Sequence, residues 1–245
     1  MKRLLPILIL LLIAAPAWLL ADGGDEEPVA RDEALALKTT VKAVLDGLGA
    51  PPAGYAKAKE DFDLPTSMGV NKAKKEYFLA QTEGDFEFTA GMSGEQMAKE
   101  YQQKMAAAQS KGDYAEVQRL TMEMQQNMMT AMNTEMSKVT VTVYLNNSAY
   151  QEIDPEGVIW ETPGAIALRT ETDGTTTELM LAFDPQSLAD TKKVSLIQLG
   201  ETTNDPATSK TAVKTIVVRL KGPDTVVTEW AGTVDKGRIL ALIKD

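Results

Sequence analysis

The sequence has no histidine and no cysteine, and aromatic residues make up only 6% of it. The first two absences exclude Ser-His-Asp and Cys-His catalysis, ordinary zinc sites, and haem or iron–sulfur centres held by His or Cys. They also exclude disulfides, so stability must come from burial. The scarcity of aromatics weighs against a sugar cleft, although glycoside hydrolysis itself needs only two carboxylates. The motifs S-x-x-K, G-x-S-x-G, G-x-x-x-x-G-K-[ST] and G-x-G-x-x-G do not occur. "GMSGE", Gly91–Glu95, is a near miss that reads better as the start of a helix.

Positive charge is also scarce. There are 25 basic and 35 acidic residues, for a net charge of −10, and no basic block. Such a surface repels phosphate backbones, so no nucleic-acid partner is expected. Long apolar runs are limited to one, Leu4 to Leu20, broken only by Pro6 and Pro16. It follows Lys2-Arg3 and ends in Leu19-Leu20-Ala21 before "DGGDEEP". This pattern predicts a secretory signal peptide over residues 1–21, cleaved after Ala21. Pro16 and the small residues Ala14, Ala15, Ala17 and Ala21 favour cleavage over a retained anchor. With no cysteine after the run, lipoprotein anchoring is excluded. No other stretch approaches the ~18 apolar residues of a membrane span. The expectation is a protein of the periplasm or the extracellular space, not an integral membrane protein after cleavage.

Beyond the leader, residues 22–30 read as a disordered acidic lead. Residues 31–245 then read as a single α+β domain. Leu35, Leu37, Val41, Val44, Leu45 and Leu48 predict a helix from about Arg31 to Asp46, stopped by Gly47 and Gly49. Residues 53–74 carry turn signals at Pro65 and Gly69 and read as irregular. "EYFLAQTEGDFEFTAG" reads as a β-hairpin turning near Gly84. Ser93/Gln96 and Asp113/Glu116 form two capping boxes and predict an αα-hairpin over about 94–136.

After Ser137 the apolar period switches to two, and residues 138–245 are β-rich. Strands are expected at "VTVTVYL", "GVIWE", "AIALRTE", "TTELMLAF", "VSLIQL" and "AVKTIVVRL", with a tight turn at Asp173-Gly174. "DPQSLADTKK" suggests a short helix capped by Asp184. Residues 224–236 fit either a helix capped by Asp224 or a strand; helix is the preferred reading, followed by a short one over Ile239–Ile243. The fold class is therefore α+β, an antiparallel or mixed sheet with the αα-hairpin and flanking N- and C-terminal helices.

Nine of the twelve methionines lie between Met92 and Met136. On a wheel of about 100° per residue, those of the second hairpin helix cover an arc of about 200°, twice what a simple surface helix needs. Met124 and Met128, with Val117 and Leu120, fit the seam against the first helix through Met97, Tyr101 and Met105. Met122, Met129 and Met136 fall on the far edge, with Met132 between. Three uses of that edge stand open. It is further core, since thioethers fill irregular gaps; or it is an adaptable surface for a protein partner or apolar ligand in the cell envelope. Alternatively, Met129, Met132 and Met136 converge on Cu(I) or Ag(I). The acidic clusters Glu60-Asp61-Asp63 and Glu171/Asp173/Glu178 leave room for a hard cation or a carboxylate-based hydrolase. Neither matches a calcium-loop pattern. The leading expectation is a non-catalytic protein without a cofactor, binding a partner through the methionine-rich hairpin at Met122, Met129 and Met136. Soft-metal binding is the alternative.

Overall fold

The computed structural model describes residues 25–71, 76–90, 94–134, 138–174, 176–199, 203–204 and 209–243. In chain order the elements are β1 (Asp25–Pro28), α1 (Arg31–Gly47), β2 (Tyr55–Asp63), β3 (Ser67–Asn71), β4 (Glu76–Phe78), β5 (Thr82–Ala90), α2 (Gly94–Ser110), α3 (Tyr114–Thr134) and β6 (Val139–Leu145). There follow β7 (Ala149–Glu152), β8 (Val158–Thr162), β9 (Ala165–Asp173), β10 (Thr176–Phe183), β11 (Leu196–Leu199), β12 (Thr203–Asn204), β13 (Ile216–Pro223), α4 (Asp224–Gly232) and α5 (Lys236–Leu240). Among the described residues, no helix is long and apolar enough to cross a membrane.

The fold is α+β. Seven strands form one sheet in the order β2-β5-β6-β13-β10-β9-β8, and every pairing in it is antiparallel. In β6, Val139, Val141, Val143 and Leu145 are fully buried while the intervening residues are partly exposed. That alternation aims one face of the sheet at α1, α4 and α5. Leu37, Val41 and Val44, spaced at three to four residues, are the buried stripe of α1, and Leu48 continues it just past the helix end. Each such aliphatic side chain contributes about 1.5–3 kcal/mol by leaving water. The opposite face is apolar only over β9, β10 and β13. There Ile166, Leu168, Met180 and Val217 pack beneath a β7–β11 ribbon through Ile197 and Leu199.

Several expectations change. Of the segment 53–74, expected to be irregular, the described part supplies two strands, β2, an edge strand of the large sheet, and β3; residues 72–74 lie outside the described residues. β2 is almost entirely exposed apart from Tyr55 and Phe62, so it lacks the apolar alternation that announces a strand. Within the lead expected to be disordered, Asp25–Pro28 pairs with β3. The proposed turn at Gly84 lies inside β5, where Gly84 is paired with Phe62 on one side and Val143 on the other. A Cβ there would collide with Val41 of α1, so the glycine answers to a close approach rather than to a turn. β4 leaves for a small sheet, ordered β1-β3-β4-β12.

Asp184 does cap, its Oδ1 accepting from the Gln186 and Ser187 backbone N–H groups at 2.9 Å each. The segment continues as turns with a short 3₁₀ turn over Thr191–Lys193, not as an α-helix. The C-terminal ambiguity resolves to helix. Asp224 is the first residue of α4 rather than its cap, and its carboxylate accepts from Arg169 at 2.8 Å. The last helix, α5, begins at Lys236, where Asp235 Oδ1 accepts from the Arg238 N–H at 3.0 Å.

One buried amide ties the connections at one end of the sheet. Asn146, 1% exposed and at φ 61°, donates from Nδ2 to the carbonyls of Ala80 and Ala212 at 3.1 and 3.0 Å. Its Oδ1 accepts from the Lys214 N–H at 2.9 Å. Asn tolerates the left-handed region better than other side chains. Replacing it with Ala leaves three backbone groups unpaired. Asn146→Ala is expected to destabilise by about 2–4 kcal/mol, read as a lower urea midpoint at unchanged slope. Gly84→Ala should cost about 1–3 kcal/mol through overpacking, and Val41→Ala in the same chain should recover part of that loss.

Candidate functional site

Among the described residues, the αα-hairpin and a cleft at the β2–β5 edge stand out. The hairpin connects β5 to β6, strands that pair directly, Phe88 opposite Val139. It is therefore an insertion between two neighbours. Gly112 at φ 69° makes its turn, and Asp113 Oδ1 accepts from the Glu116 N–H at 3.0 Å, which is one half of the expected capping box. Arg119 bonds Glu116 and Glu123 along the outside of α3. Between the helices Tyr101, Ala108 and Leu120 form a small cluster of their own, with Met105, Val117 and Met124 packed on it.

Met124 thus lies in the seam where its spacing put it. Met122 lies on the far edge, 63% exposed, and Tyr114 near the turn is 80% exposed. Met128, Met129 and Met132 are carried on α3, but their side chains lie outside the described residues, as does that of Met97. Met136 lies outside the described residues altogether. Of the three residues expected to meet a partner, Met122 is the one whose surroundings are defined.

Strand geometry breaks up the first acidic cluster. Glu60 is held by Lys42 and Lys57, whose hydrogen bonds keep its carboxyl below the usual carboxylate range. Asp61 and Asp63 alternate with it and stand opposite Asp85 and Glu83 of β5. In the second cluster Glu171 stands opposite Glu178, and Glu178 accepts from Arg219 at 3.0 Å. Among the described residues, no three acidic side chains come close enough together to hold a metal ion.

Asp63 and Glu83 lead instead into a cleft of about 600 Å³, formed where the chain leaves β2 for β3 and enters β5. Met68, Phe78 and Leu79 supply an apolar wall; Thr82 and Asn147 also line it. Thr82 is 2% exposed, and among the described residues neither its Oγ1 nor the buried Oδ1 of Asn147 has a hydrogen-bond partner. Burial raises the Glu83 carboxyl above its ordinary value of 4.5, and the charges of Asp85 and Asp63 raise it further. Asp85 is itself steadied by the Thr142 hydroxyl, which donates to Oδ1 at 2.7 Å. Sequence reasoning missed this site because its lining comes from three separated segments. The available signal was an acidic period of two, Asp61/Asp63 and Glu83/Asp85, on two strands.

A carboxyl raised in the folded state favours folding when protonated and opposes it when charged. The advantage is complete below about 4.5, the unfolded value, and is lost as pH rises through the folded one. Glu83→Gln removes the charge permanently. It should raise Tm at pH 7 by on the order of 1–2 °C, with the difference from the native chain closing as the pH is lowered to 4. An equal difference at both values would refute the assignment. Comparison of the chain with family models, with curated proteins and with solved structures finds no match.

Proposed function

We propose that the protein is a non-catalytic, exported binding protein whose αα-hairpin engages a protein partner in the cell envelope or outside the cell. The observation that carries this reading is the hairpin's construction. It is inserted between two directly paired strands, carries its own small apolar cluster and holds Met122 and Tyr114 out in solvent. A helical pair built this way presents side chains without disturbing the sheet below it. Exposed Met adapts to varied apolar surfaces, and Tyr is enriched among residues that dominate binding energy. Export is supported by the basic start, the apolar run and the small residue at Ala21. A binding role also suits a chain without His or Cys, the side chains on which many catalytic and metal sites rest.

Capture from an envelope extract on the immobilised chain is the test. The double variant Met122→Gln, Tyr114→Ser should retain its circular dichroism melt, because both side chains are exposed. Recovery of the captured partner should fall at least about tenfold, the scale expected for losing two central contacts. Equal recovery on both baits would remove the hairpin from the function.

A further inference from the structure

We propose that β2 is a self-pairing edge: two copies of the chain join antiparallel along it, so that their seven-stranded sheets continue into one another. This surface is separate from the hairpin and does not depend on the role proposed for it.

The first observation is an open row of backbone groups. β2 ends the large sheet, and among the described residues no strand pairs with its outer side. Residues 56–61 are all exposed, so the row is open to solvent. The register tells which groups point out. Asn146 donates its N–H to the Thr215 carbonyl beside β13, which turns the backbone of Leu145 toward β5. Counted in twos from there, the N–H and C=O groups of Asp63, Asp61 and Lys59 face β5, and those of Glu60 and Phe62 face away. The Phe62 N–H accordingly donates to the Asp61 carboxylate, at 2.9 Å, rather than to a strand.

The second observation is the order of charges along this edge. Lys57 and Lys59 come first, then Glu60, Asp61 and Asp63. Reversed against itself, such a strand meets opposite charges. A two-fold axis at Glu60 lets the Glu60 backbones of the two copies bond each other, and sets Lys59 of each copy directly opposite Asp61 of the other. Both side chains lie on one face, since they stand opposite Glu87 and Asp85 of β5. Among the described residues neither has an ion pair of its own: Glu87 is held by Lys138, and Asp85 repels Asp61. The two Glu60 carboxylates fall on the other face, each already answered by Lys42 and Lys57.

The third observation is selectivity. Moving the axis by one residue sets Asp61 against Asp61 or Lys59 against Lys59, where like charges directly opposite destabilise. Lysines and a bulge are the usual guards of an edge strand, and β2 has both, the bulge lying between Lys57 and Lys59. Here they keep the paired run short and leave one charge-matched register, that of the strand with its own copy. The other edge, β8, is "VIWET"; Glu161 is its one charge, so it lacks such self-complementarity.

The test is sedimentation of the chain from about 10 μM to about 1 mM, in about 0.15 M salt, where net charge is screened beyond ~8 Å but touching pairs are not. A monomer–dimer equilibrium is expected, with a dissociation constant on the order of 100 μM, as suits a small interface. Lys59→Glu and Asp61→Lys each place like charges across the axis, and each should weaken dimerisation at least about tenfold. An equimolar mixture of the two variants pairs Glu with Lys and Asp with Lys, and should recover the native constant within about threefold. Recovery on mixing also excludes misfolding of either variant. A monomer at every concentration, a dimer indifferent to the single substitutions, or no recovery in the mixture would each overturn the proposal.

Discussion

The approach of α1 to β5, with Val41 seated on the bare backbone of Gly84, sets the distance between the helical layer and the sheet. Much of the interior follows from it. With α1 at that depth, Gly47 at its end lets α5 come close, since a Cβ there would lie 2.6 Å from the Ile239 side chain. Two indoles then close the layer. Trp230 of α4 donates from Nε1 to the Leu48 carbonyl at the end of α1, at 3.1 Å, and Trp160 of β8 donates to the Ala231 carbonyl of α4, at 2.8 Å. Leu48 caps the end of α1 and Ala231 lies in the last turn of α4, where carbonyls have no partner within the helix. The tryptophans therefore satisfy the helix ends and bury large apolar surfaces in the same act, with Trp230 meeting Phe88 edge-on at 5.0 Å.

The sheet's other face is divided. Over β9, β10 and β13 it is apolar and roofed by the β7–β11 ribbon. Toward β2 and β5 it carries Asp61, Asp63, Glu83 and Asp85. The same strand alternation that gives the inner face Phe86 and Phe88 places these carboxylates outward. The cleft lies at the end of this acidic half, where the backbone parts to form the small sheet. Its electrostatics are thus a by-product of strand register, sharpened by the partial burial of Glu83.

Elements whose signal is local could be read from the chain alone. The period of two in Val139–Leu145, the Asp173-Gly174 turn between β9 and β10, and the helical pair α2 and α3 each depend on neighbours in sequence. β2 could not be read, because an exposed edge strand such as "YAKAKEDFD" has little apolar pattern to show. Gly84 misled for a related reason: glycine marks a turn and a close approach with the same letter, and only the position of Val41 separates them. The cleft joins residues 63–69, 78–83 and 147, so its existence depends on long-range pairing that no local window contains. Within the hairpin, helical spacing did sort Met124 from Met122.

Because the hairpin departs from one strand and returns to its hydrogen-bonded neighbour, its ends are pinned side by side whatever happens between them. Melting the hairpin would turn it into a closed loop of about fifty residues, and each doubling of such a loop costs only about 0.6 kcal/mol in closure entropy. The sheet is therefore thermodynamically insulated from its appendage. A local unfolding event there need not propagate into the helical layer, and lengthening or shortening the pair of helices should alter reach far more than stability.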